Sequence, residues 1–89
     1  MATIAFTRHL EAVGPTAPCA YGGATVGELI DAVSQDYPRL KGYVLDDQGR
    51  LRKHIAVFVD GGMVARESAL GLAVGDTSEV YVFQALSGG

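Results

Sequence analysis

The chain has 89 residues, enough for one domain with one hydrophobic core but too few for a substrate domain beside a cofactor domain. Hydrophobic residues make up 48% of it and charged residues 19%, so it can bury enough apolar surface to fold and is unlike a disordered segment. Its net charge of −3 at pH 7 argues against nucleic acid as a partner, because phosphate binding favours a basic surface.

The chain carries few side chains suited to redox chemistry or metal binding. Cys19 is the one cysteine, which excludes an intrachain disulfide and a cysteine-cluster metal site. His9 and His54 are predicted to lie in separate strands, and no third ligand is evident, so we expect no metal site. No segment resembles a signal peptide or a membrane-spanning helix, and we therefore expect a small, soluble, cytoplasmic domain without a membrane partner.

The first 21 residues predict a β-hairpin. Residues 3–9 alternate in polarity like a strand, with Ile4, Phe6 and Arg8 on one side. A second strand is predicted around residues 18–21, across a loop that contains glycine and proline.

The next segment predicts an amphipathic helix. Its apolar residues follow the i, i+3, i+4, i+7, i+11 spacing of a single stripe: Val26, Leu29, Ile30, Val33 and Tyr37. Thr25 is a natural N-cap, and Glu28, three residues later, completes a capping box. Pro38 disfavours helical geometry at the residue before it and ends the helix. Because a helix with one apolar face must be covered, we expect this helix to lie on a β-sheet.

Residues 39–53 are expected to form a mixed connector with a turn at residues 46–49. The connector holds five of the seven basic residues of the chain: Arg39, Lys41, Arg50, Arg52 and Lys53. Two interpretations remain open, a solvated loop and a docking surface for an acidic partner.

The second half of the chain predicts three further strands. The strongest covers residues 54–60, followed by a hairpin turn at Gly61-Gly62 and a short return strand at residues 63–65. An irregular piece at residues 68–74 leads through a turn to the last strand, residues 79–83. The order strand, strand, helix, strand, short strand, strand predicts an α+β domain. We expect a mixed sheet of four to five strands with one main helix packed on one face.

Alternation along these strands predicts three aromatic side chains on the sheet face away from the helix: Phe58, Tyr81 and Phe83. Their strand neighbours are predicted to face the helix: Ile55, Val57, Val59, Val80 and Val82. Such an apolar cluster on a small protein indicates a docking surface, in which each aromatic anchor contributes about 2 kcal/mol. Alternatively, a different register buries this face against the long connector.

Common enzyme motifs are missing from the sequence. It contains no glycine-rich loop followed by Lys-Ser/Thr, no Gly-x-Ser-x-Gly elbow and no His-x-x-x-His pair. Its carboxylates are dispersed, which is more typical of a solvated surface than of an acid/base pair. We therefore expect a protein that is not an enzyme and has no catalytic residues or bound cofactor of its own.

The last five residues are predicted to form a flexible tail, 85–89, beyond a folded domain of residues 1–84. The tail ends in Gly88-Gly89, which follow the apolar strand closely. Without Cβ atoms, two glycines can enter a narrow tunnel on another protein and leave the carbonyl carbon open to nucleophiles. A carboxylate becomes an acyl donor when its oxygen attacks the α-phosphate of ATP. The pattern thus predicts a substrate and carrier; a terminus without a role is the alternative.

Two stretches resemble the ubiquitin-like β-grasp sulfur carriers of the MoaD/ThiS type. One runs from the turn at Gly75-Asp76 through strand residues 79–83 to the ending Leu-Ser-Gly-Gly at residues 86–89. The other is Val-Phe-Val-Asp-Gly at residues 57–61. The resemblance covers nearly the whole chain in element order and implies the ubiquitin-like β-grasp fold.

In such carriers, an activating enzyme of the MoeB/ThiF type uses ATP to adenylate the final glycine. A sulfur donor then converts the adenylate to a thiocarboxylate, which supplies sulfide to a biosynthetic enzyme. By position, the resemblance implies that Gly89 is the adenylated and thiolated residue. It also implies that Gly88, its neighbour in the tail, fits a narrow active site because it has no side chain. It also implies that Phe83 and Leu86 are apolar contacts at the docking surface.

The chain departs from molybdopterin-type carriers at Gln84-Ala85, where two prolines are frequent, and at Ser87 of the tail, where alanine is common. The resemblance therefore favours a carrier for cysteine or another sulfur metabolite over one for molybdopterin. A sulfurtransferase and a processing peptidase are further partners that it suggests. Two other functions remain open: a ubiquitin-like modifier joined to lysines, and a plain β-grasp binding module whose tail is incidental.

Overall fold

The helices and strands of the computed structural model, which describes residues 1–84, follow the predicted order and include three short helical segments not predicted. The strands of this part of the chain are β1 (Ala2–Phe6), β2 (Cys19–Tyr21), β3 (Ile55–Val59), β4 (Gly62–Val64) and β5 (Glu79–Gln84). Its helices are α1 (Val26–Asp36), α2 (Leu40–Val44) and α3 (Arg66–Ala69), together with a 3₁₀ helix at Arg8–Ala12.

The strands within residues 1–84 form one mixed sheet in the order β2-β1-β5-β3-β4. β1 and β5 are parallel neighbours in its centre, with Ile4 opposite Val80, and the other pairs are antiparallel. β5 pairs with β3 on its other side, where Val82 lies opposite Val57. The predicted α+β architecture, a mixed sheet with one main helix on one face, is confirmed.

The hydrophobic core lies between α1 and the sheet. Most of the predicted inward residues are buried there: Val26, Leu29, Ile30, Val33, Ile55, Val57, Val80 and Val82. Tyr37, the last residue of the predicted stripe, lies beyond the helix and is partly buried against the same core. Val59 is partly buried and packs against the same cluster. Burial of each aliphatic side chain contributes about 1.5–3 kcal/mol relative to exposure. The predicted inward faces of the helix and of both strands are therefore confirmed.

The ends of α1 are formed by the residues that the sequence indicated. The Thr25 Oγ1 accepts a hydrogen bond from the backbone N–H of Glu28 at 3.2 Å. The Glu28 carboxylate in turn accepts the N–H of Ala24, the residue before the cap, at 2.9 Å. At the other end the helix stops at Asp36, and Tyr37, which precedes Pro38, has left helical geometry. Local hydrogen bonding therefore sets the first boundary, and the steric restriction before Pro38 sets the second.

The first strand is shorter than the predicted residues 3–9, because it ends at Phe6 and a 3₁₀ helix follows. Continued alternation would have placed both Arg8 and Leu10 on the core face with Ile4. The 3₁₀ helix instead buries Leu10 completely and leaves Arg8 exposed. The change of backbone geometry therefore avoids the cost of burying an unpaired charge.

The connector is more ordered than predicted, because residues 40–44 form α2. Leu40 and Val44 stand four residues apart on this short helix and are both buried in the core. The predicted turn at residues 46–49 is confirmed, with Gly49 at φ 78°. This i, i+4 apolar pair was the sequence signal that the loop interpretation missed.

The hairpin turn between β3 and β4 is Asp60-Gly61, and the predicted Gly61-Gly62 turn is one residue out of place. Asp60 has φ 53° and Gly61 has φ 86°, whereas Gly62 is already paired with Val59. A two-residue hairpin with two positive φ angles matches the twist of its strands. The carboxylate of Asp60 also accepts the backbone N–H of Glu79 at 2.9 Å, which anchors the turn to β5.

Smaller differences concern α3 and the two histidines. α3 begins before the predicted irregular piece at residues 68–74 and buries Ala69. His9 lies in the 3₁₀ helix, and His54 directly precedes β3, so neither belongs to a strand. None of the helices formed within residues 1–84 has the length and apolar character needed to span a membrane.

Candidate partner-docking site

Three aromatic rings form a cluster on the sheet face opposite α1, and we call Phe58, Tyr81 and Phe83 the aromatic surface. Phe58 lies directly opposite Tyr81 in the β3–β5 pair, and Phe83 lies opposite Ala56. The ring centroids of Phe58 are 6.5 Å from Tyr81 and 6.4 Å from Phe83, and those of Tyr81 and Phe83 are 6.5 Å apart. Tilted and edge-to-face contacts at this spacing are favourable, so the rings hold one another in place.

The aromatic surface is open to solvent on its outer side. Tyr81 is 39% exposed and Phe83 38% exposed, while Phe58 is half-buried. Beside the rings, β1 contributes the small outward residues Thr3 and Ala5, with Ala5 opposite Tyr81. These small side chains leave an apolar depression next to the rings. The prediction that the aromatic side chains face outward is confirmed, and the described part of the connector does not bury them.

The aromatic surface lies next to the point where the chain continues into the predicted tail. β5 ends at Gln84, one residue after Phe83. The backbone N–H of Gln84 donates to the Thr7 Oγ1 at 3.1 Å, which ties the end of the strand to the start of the 3₁₀ helix. The remaining predicted site residues lie outside the described residues: Leu86, Ser87, Gly88 and Gly89.

Other side chains considered for chemistry are dispersed over the surface. Cys19 is half-buried, and its thiol donates a weak hydrogen bond to the carbonyl of Ala17 at 3.4 Å. His9 and His54 are both exposed. Within residues 1–84, no group of three or more histidine, cysteine or carboxylate side chains is placed to hold a metal ion.

The basic residues of the connector are all exposed, and several have local partners. Lys41 pairs with Asp31 at 3.0 Å, and the Arg50 Nε is 3.5 Å from the Asp46 carboxylate. The backbone N–H of Arg50 is the main group that holds the pKa of Asp46 below its ordinary value. Arg66 of α3, which the sequence did not group with the connector, lines one surface cleft together with Arg50, Arg52 and Lys53.

Comparison with known proteins agrees with this architecture. The model of the ThiS family matches residues 11–89. Small archaeal modifier protein 1 of Haloferax volcanii is 38% identical over 68 residues, covering 76% of this chain and 74% of that protein. The crystal structure of SAMP1 from Haloferax volcanii matches with a TM-score of 0.79 at 31% identity, over 99% of this chain and 98% of that one. The crystal structure of the Amycolatopsis orientalis BexX/CysO complex contains a chain that matches with a TM-score of 0.87 at 26% identity, over the whole of both chains.

The mixed sheet, the helix across one face and these structural matches define a ubiquitin-like β-grasp protein. With a family match that spans most of the sequence and a relative of 38% identity, the chain belongs to the ThiS family. The family resemblance inferred from the sequence is confirmed. This family comprises ubiquitin-like small modifiers and sulfur carriers.

Proposed function

We propose that this protein is a sulfur carrier in which the carboxylate of Gly89 is the reactive group. The observation that carries the proposal is the placement of the aromatic surface on β3 and β5, directly before the segment that leads to Gly88-Gly89. Membership of the ThiS family, whose model matches through residue 89, supports it. The folded part then serves to dock a partner enzyme, and the tail supplies the group on which that enzyme acts.

The proposed chemistry takes place in the active site of a partner, an activating enzyme of the MoeB/ThiF type. A Gly89 carboxylate oxygen attacks the α-phosphorus of ATP, the bond to the β,γ-phosphates breaks, and pyrophosphate leaves. Sulfide from a donor then attacks the acyl carbon, and AMP leaves with the electron pair of the broken C–O bond. The product is a thiocarboxylate. The carrier contributes an unhindered acyl carbon, because neither Gly88 nor Gly89 has a Cβ.

The aromatic surface is the proposed contact for the activating enzyme and, in turn, for the sulfur-accepting enzyme. Aromatic side chains that already contact one another before docking lose little entropy on docking and exclude water efficiently. Leu86 is proposed to extend this contact along the tail. The BexX/CysO complex, which contains a related chain, supports a function exercised in complex with another protein. We propose an acceptor in cysteine or other sulfur-metabolite biosynthesis, because residues 84–85 differ from the molybdopterin type.

Intact-mass spectrometry tests the proposal directly. After incubation with the activating enzyme, ATP and sulfide, the mass should rise by the difference between one sulfur and one oxygen atom. Deletion of Gly89 should abolish this rise, whereas the control variant Ser87→Ala, with alanine as in other carriers, should retain it. An unchanged mass with the cognate enzyme would contradict the carrier function. Full cellular function without Gly89 would instead indicate a plain binding module.

A second candidate function is favoured by the 38% identical relative, which is named a small archaeal modifier protein. The same activated Gly89 would be attacked by a lysine amine, with formation of an isopeptide bond. Chymotrypsin cleaves after leucine, so cleavage after Leu86 would leave Ser-Gly-Gly on the acceptor lysine. Trypsin is unsuitable, because Arg66 is the last basic residue and a long remnant would remain. Lysines modified with Ser-Gly-Gly in cells would establish a modifier. A thiocarboxylate at Gly89 in cells that lack such lysines would establish a carrier.

A further inference from the structure

A basic cleft of about 550 Å³ lies between the turn after α2, the start of β3 and α3. Four cationic side chains line it: Arg50, Arg52, Lys53 and Arg66. Two carboxylates, those of Asp46 and Glu67, stand among them. The chain as a whole carries a net charge of −3, so the cleft has the opposite sign to the rest of the molecule. Its basic character is therefore a local feature of the surface.

One wall of the basic cleft is held in place by hydrogen bonds between side chains and the backbone. The carboxylate of Asp46 accepts the N–H groups of Gln48 at 2.9 Å and of Arg50 at 3.0 Å. The Nε–H of Arg52 donates to the carbonyl of Gly42 in α2 at 3.0 Å. A wall that is ordered before binding loses little conformational entropy when a partner docks.

Two cations of the basic cleft are available for a partner. Among residues 1–84, Lys53 and Arg66 have no carboxylate within 4.0 Å, and both are exposed. The Arg50 pair with Asp46 is long, at 3.5 Å, and the Arg50 side chain is 70% exposed. A carboxylate from a partner can approach these side chains with little loss of existing contacts.

The basic cleft also has an apolar floor, formed by Leu51 and Leu70. Leu51 belongs to the core and Leu70 packs against it. The carbonyl of Leu70 accepts the N–H of Gly27 in α1 at 2.9 Å, which places it on the helix side of the sheet. The aromatic surface lies on the other side. A partner in the cleft can therefore be bound at the same time as one on the aromatic surface.

We propose that the basic cleft binds a segment of a partner protein in which an aliphatic side chain is flanked by carboxylates. The aliphatic side chain packs against the half-buried Leu70 at the floor, while the carboxylates pair with Lys53 and Arg66. Asp46 and Glu67 repel the closely spaced phosphates of a nucleic acid, but they can accept backbone N–H groups of a peptide. The proposed contact uses no residue of the tail, so its test does not depend on sulfur transfer.

The experiment is an NMR titration of the ¹⁵N-labelled full chain at low ionic strength. The probe is the blocked peptide Glu-Glu-Leu-Glu-Glu, compared with Gln-Gln-Leu-Gln-Gln and with Glu-Glu-Gly-Glu-Glu. We expect amide shifts confined to residues 50–54 and 66–70, and binding at least tenfold weaker for both comparison peptides. Arg66→Glu should weaken binding of the probe at least tenfold, and the matched control Arg8→Glu, which makes the same charge change outside the cleft, should not.

Three results would overturn the proposal. The first is the absence of shifts in the cleft with the probe peptide. The second is equal weakening by Arg8→Glu and Arg66→Glu, which would show that net charge alone is responsible. The third is binding of single-stranded oligothymidylate to the same amides as tightly as the probe, which would assign the cleft to a phosphate polymer. Spectra of both variants report whether they are folded, so a loss of binding cannot be confused with unfolding.

Discussion

At the scale of single residues, left-handed backbone conformations define the tight turns of the described chain. Gly49 closes the turn after α2 at φ 78°, and Gly61 closes the β3–β4 hairpin at φ 86°. Asp60, beside Gly61, has φ 53°, a conformation that aspartate tolerates better than most residues. Space alone does not require glycine at residue 61, because nothing lies within 4 Å of a Cβ there. The requirement is conformational.

Gly61→Ala should therefore lower the free energy of unfolding by about 1–2 kcal/mol, the cost of a left-handed conformation for a residue with a Cβ. The neighbouring substitution Gly62→Ala is the matched control. Its Cβ would meet the Val59 carbonyl oxygen at an ordinary 3.7 Å, and the backbone is not left-handed there. Urea unfolding of both variants measures the difference. Equal stabilities would show that the turn relaxes to another type.

A second residue-scale feature is the hydrogen bond from the Tyr21 hydroxyl to the Asp36 carboxylate, at 2.8 Å, which joins β2 to the end of α1. This hydrogen bond, followed by burial and the negative charge of Asp36, raises the pKa of Tyr21 to about 12. The neutral phenol is thus favoured in the folded state. Its contribution to stability is complete below pH 10 and is lost as the pH rises through 12.

Spectrophotometric titration should show one of the four tyrosines ionising near pH 12. Tyr21→Phe should remove that step, and Asp36→Asn should move it towards the ordinary value, because the charged acceptor is gone. Tyr43→Phe, the matched change at an exposed tyrosine, should leave the ionisation near pH 12 unchanged. A late ionisation that persists in Tyr21→Phe would assign the perturbed phenol to another residue.

At the scale of elements, α1 is the best-specified part of the chain. Its apolar stripe, its N-cap and the proline that follows it all lie within one short segment. Each of them favours the helix, or ends it, through residues only a few positions apart. The short helices differ. Each short helix buries apolar side chains in a core that is formed mainly by residues distant in the chain: Leu40 and Val44 from α2, and Ala69 from α3. Helices of four or five residues have little stability of their own, so tertiary packing determines them.

Removal of the α1 cap should measure how much this local hydrogen bond contributes to the stability of the protein. Thr25→Ala deletes the acceptor of the Glu28 N–H and should lower the free energy of unfolding by about 1 kcal/mol. Thr16→Ala, the same change at an exposed residue outside helices and strands, should alter it by less than about 0.5 kcal/mol. Thermal or urea denaturation followed by circular dichroism suffices. An equal loss of unfolding free energy in both variants would show that the cap makes no specific contribution to stability.

At the scale of the whole molecule, β5 connects the core to the proposed docking function. It lies between β1 and β3, so its inward valines complete the core while Tyr81 and Phe83 stand on the outer face. The basic cleft lies on the helix side of the same sheet. The two surfaces can then serve two partners, or two parts of one partner.

Substitution in the aromatic surface should separate docking from stability. Phe83→Ala should lower kcat/KM for adenylation by the activating enzyme at least tenfold, since a central aromatic anchor contributes about 2 kcal/mol or more. Met63→Ala removes another exposed apolar side chain, 68% exposed, and should leave kcat/KM unchanged. ATP–pyrophosphate exchange measures the rate at a temperature where both variants are folded. Unchanged exchange with Phe83→Ala would refute the assigned contact.

The sequence by itself determined α1, the order of the main helix and strands along the chain, and the inward and outward faces of β3 and β5, because periodicity and capping are read over a few neighbouring residues. It also predicted that Phe58, Tyr81 and Phe83 share one face. Once the inward residues of both strands are known, the alternate residues must lie on the outer face of the sheet. Only the tertiary structure decided that β1 gives way to a 3₁₀ helix, that α2 forms, and that Arg66 joins the basic cleft. Each depends on residues far apart in the chain that meet after the core has formed. The one local signal among them, the i, i+4 apolar pair of α2, is too short to predict a helix without the packing that covers it.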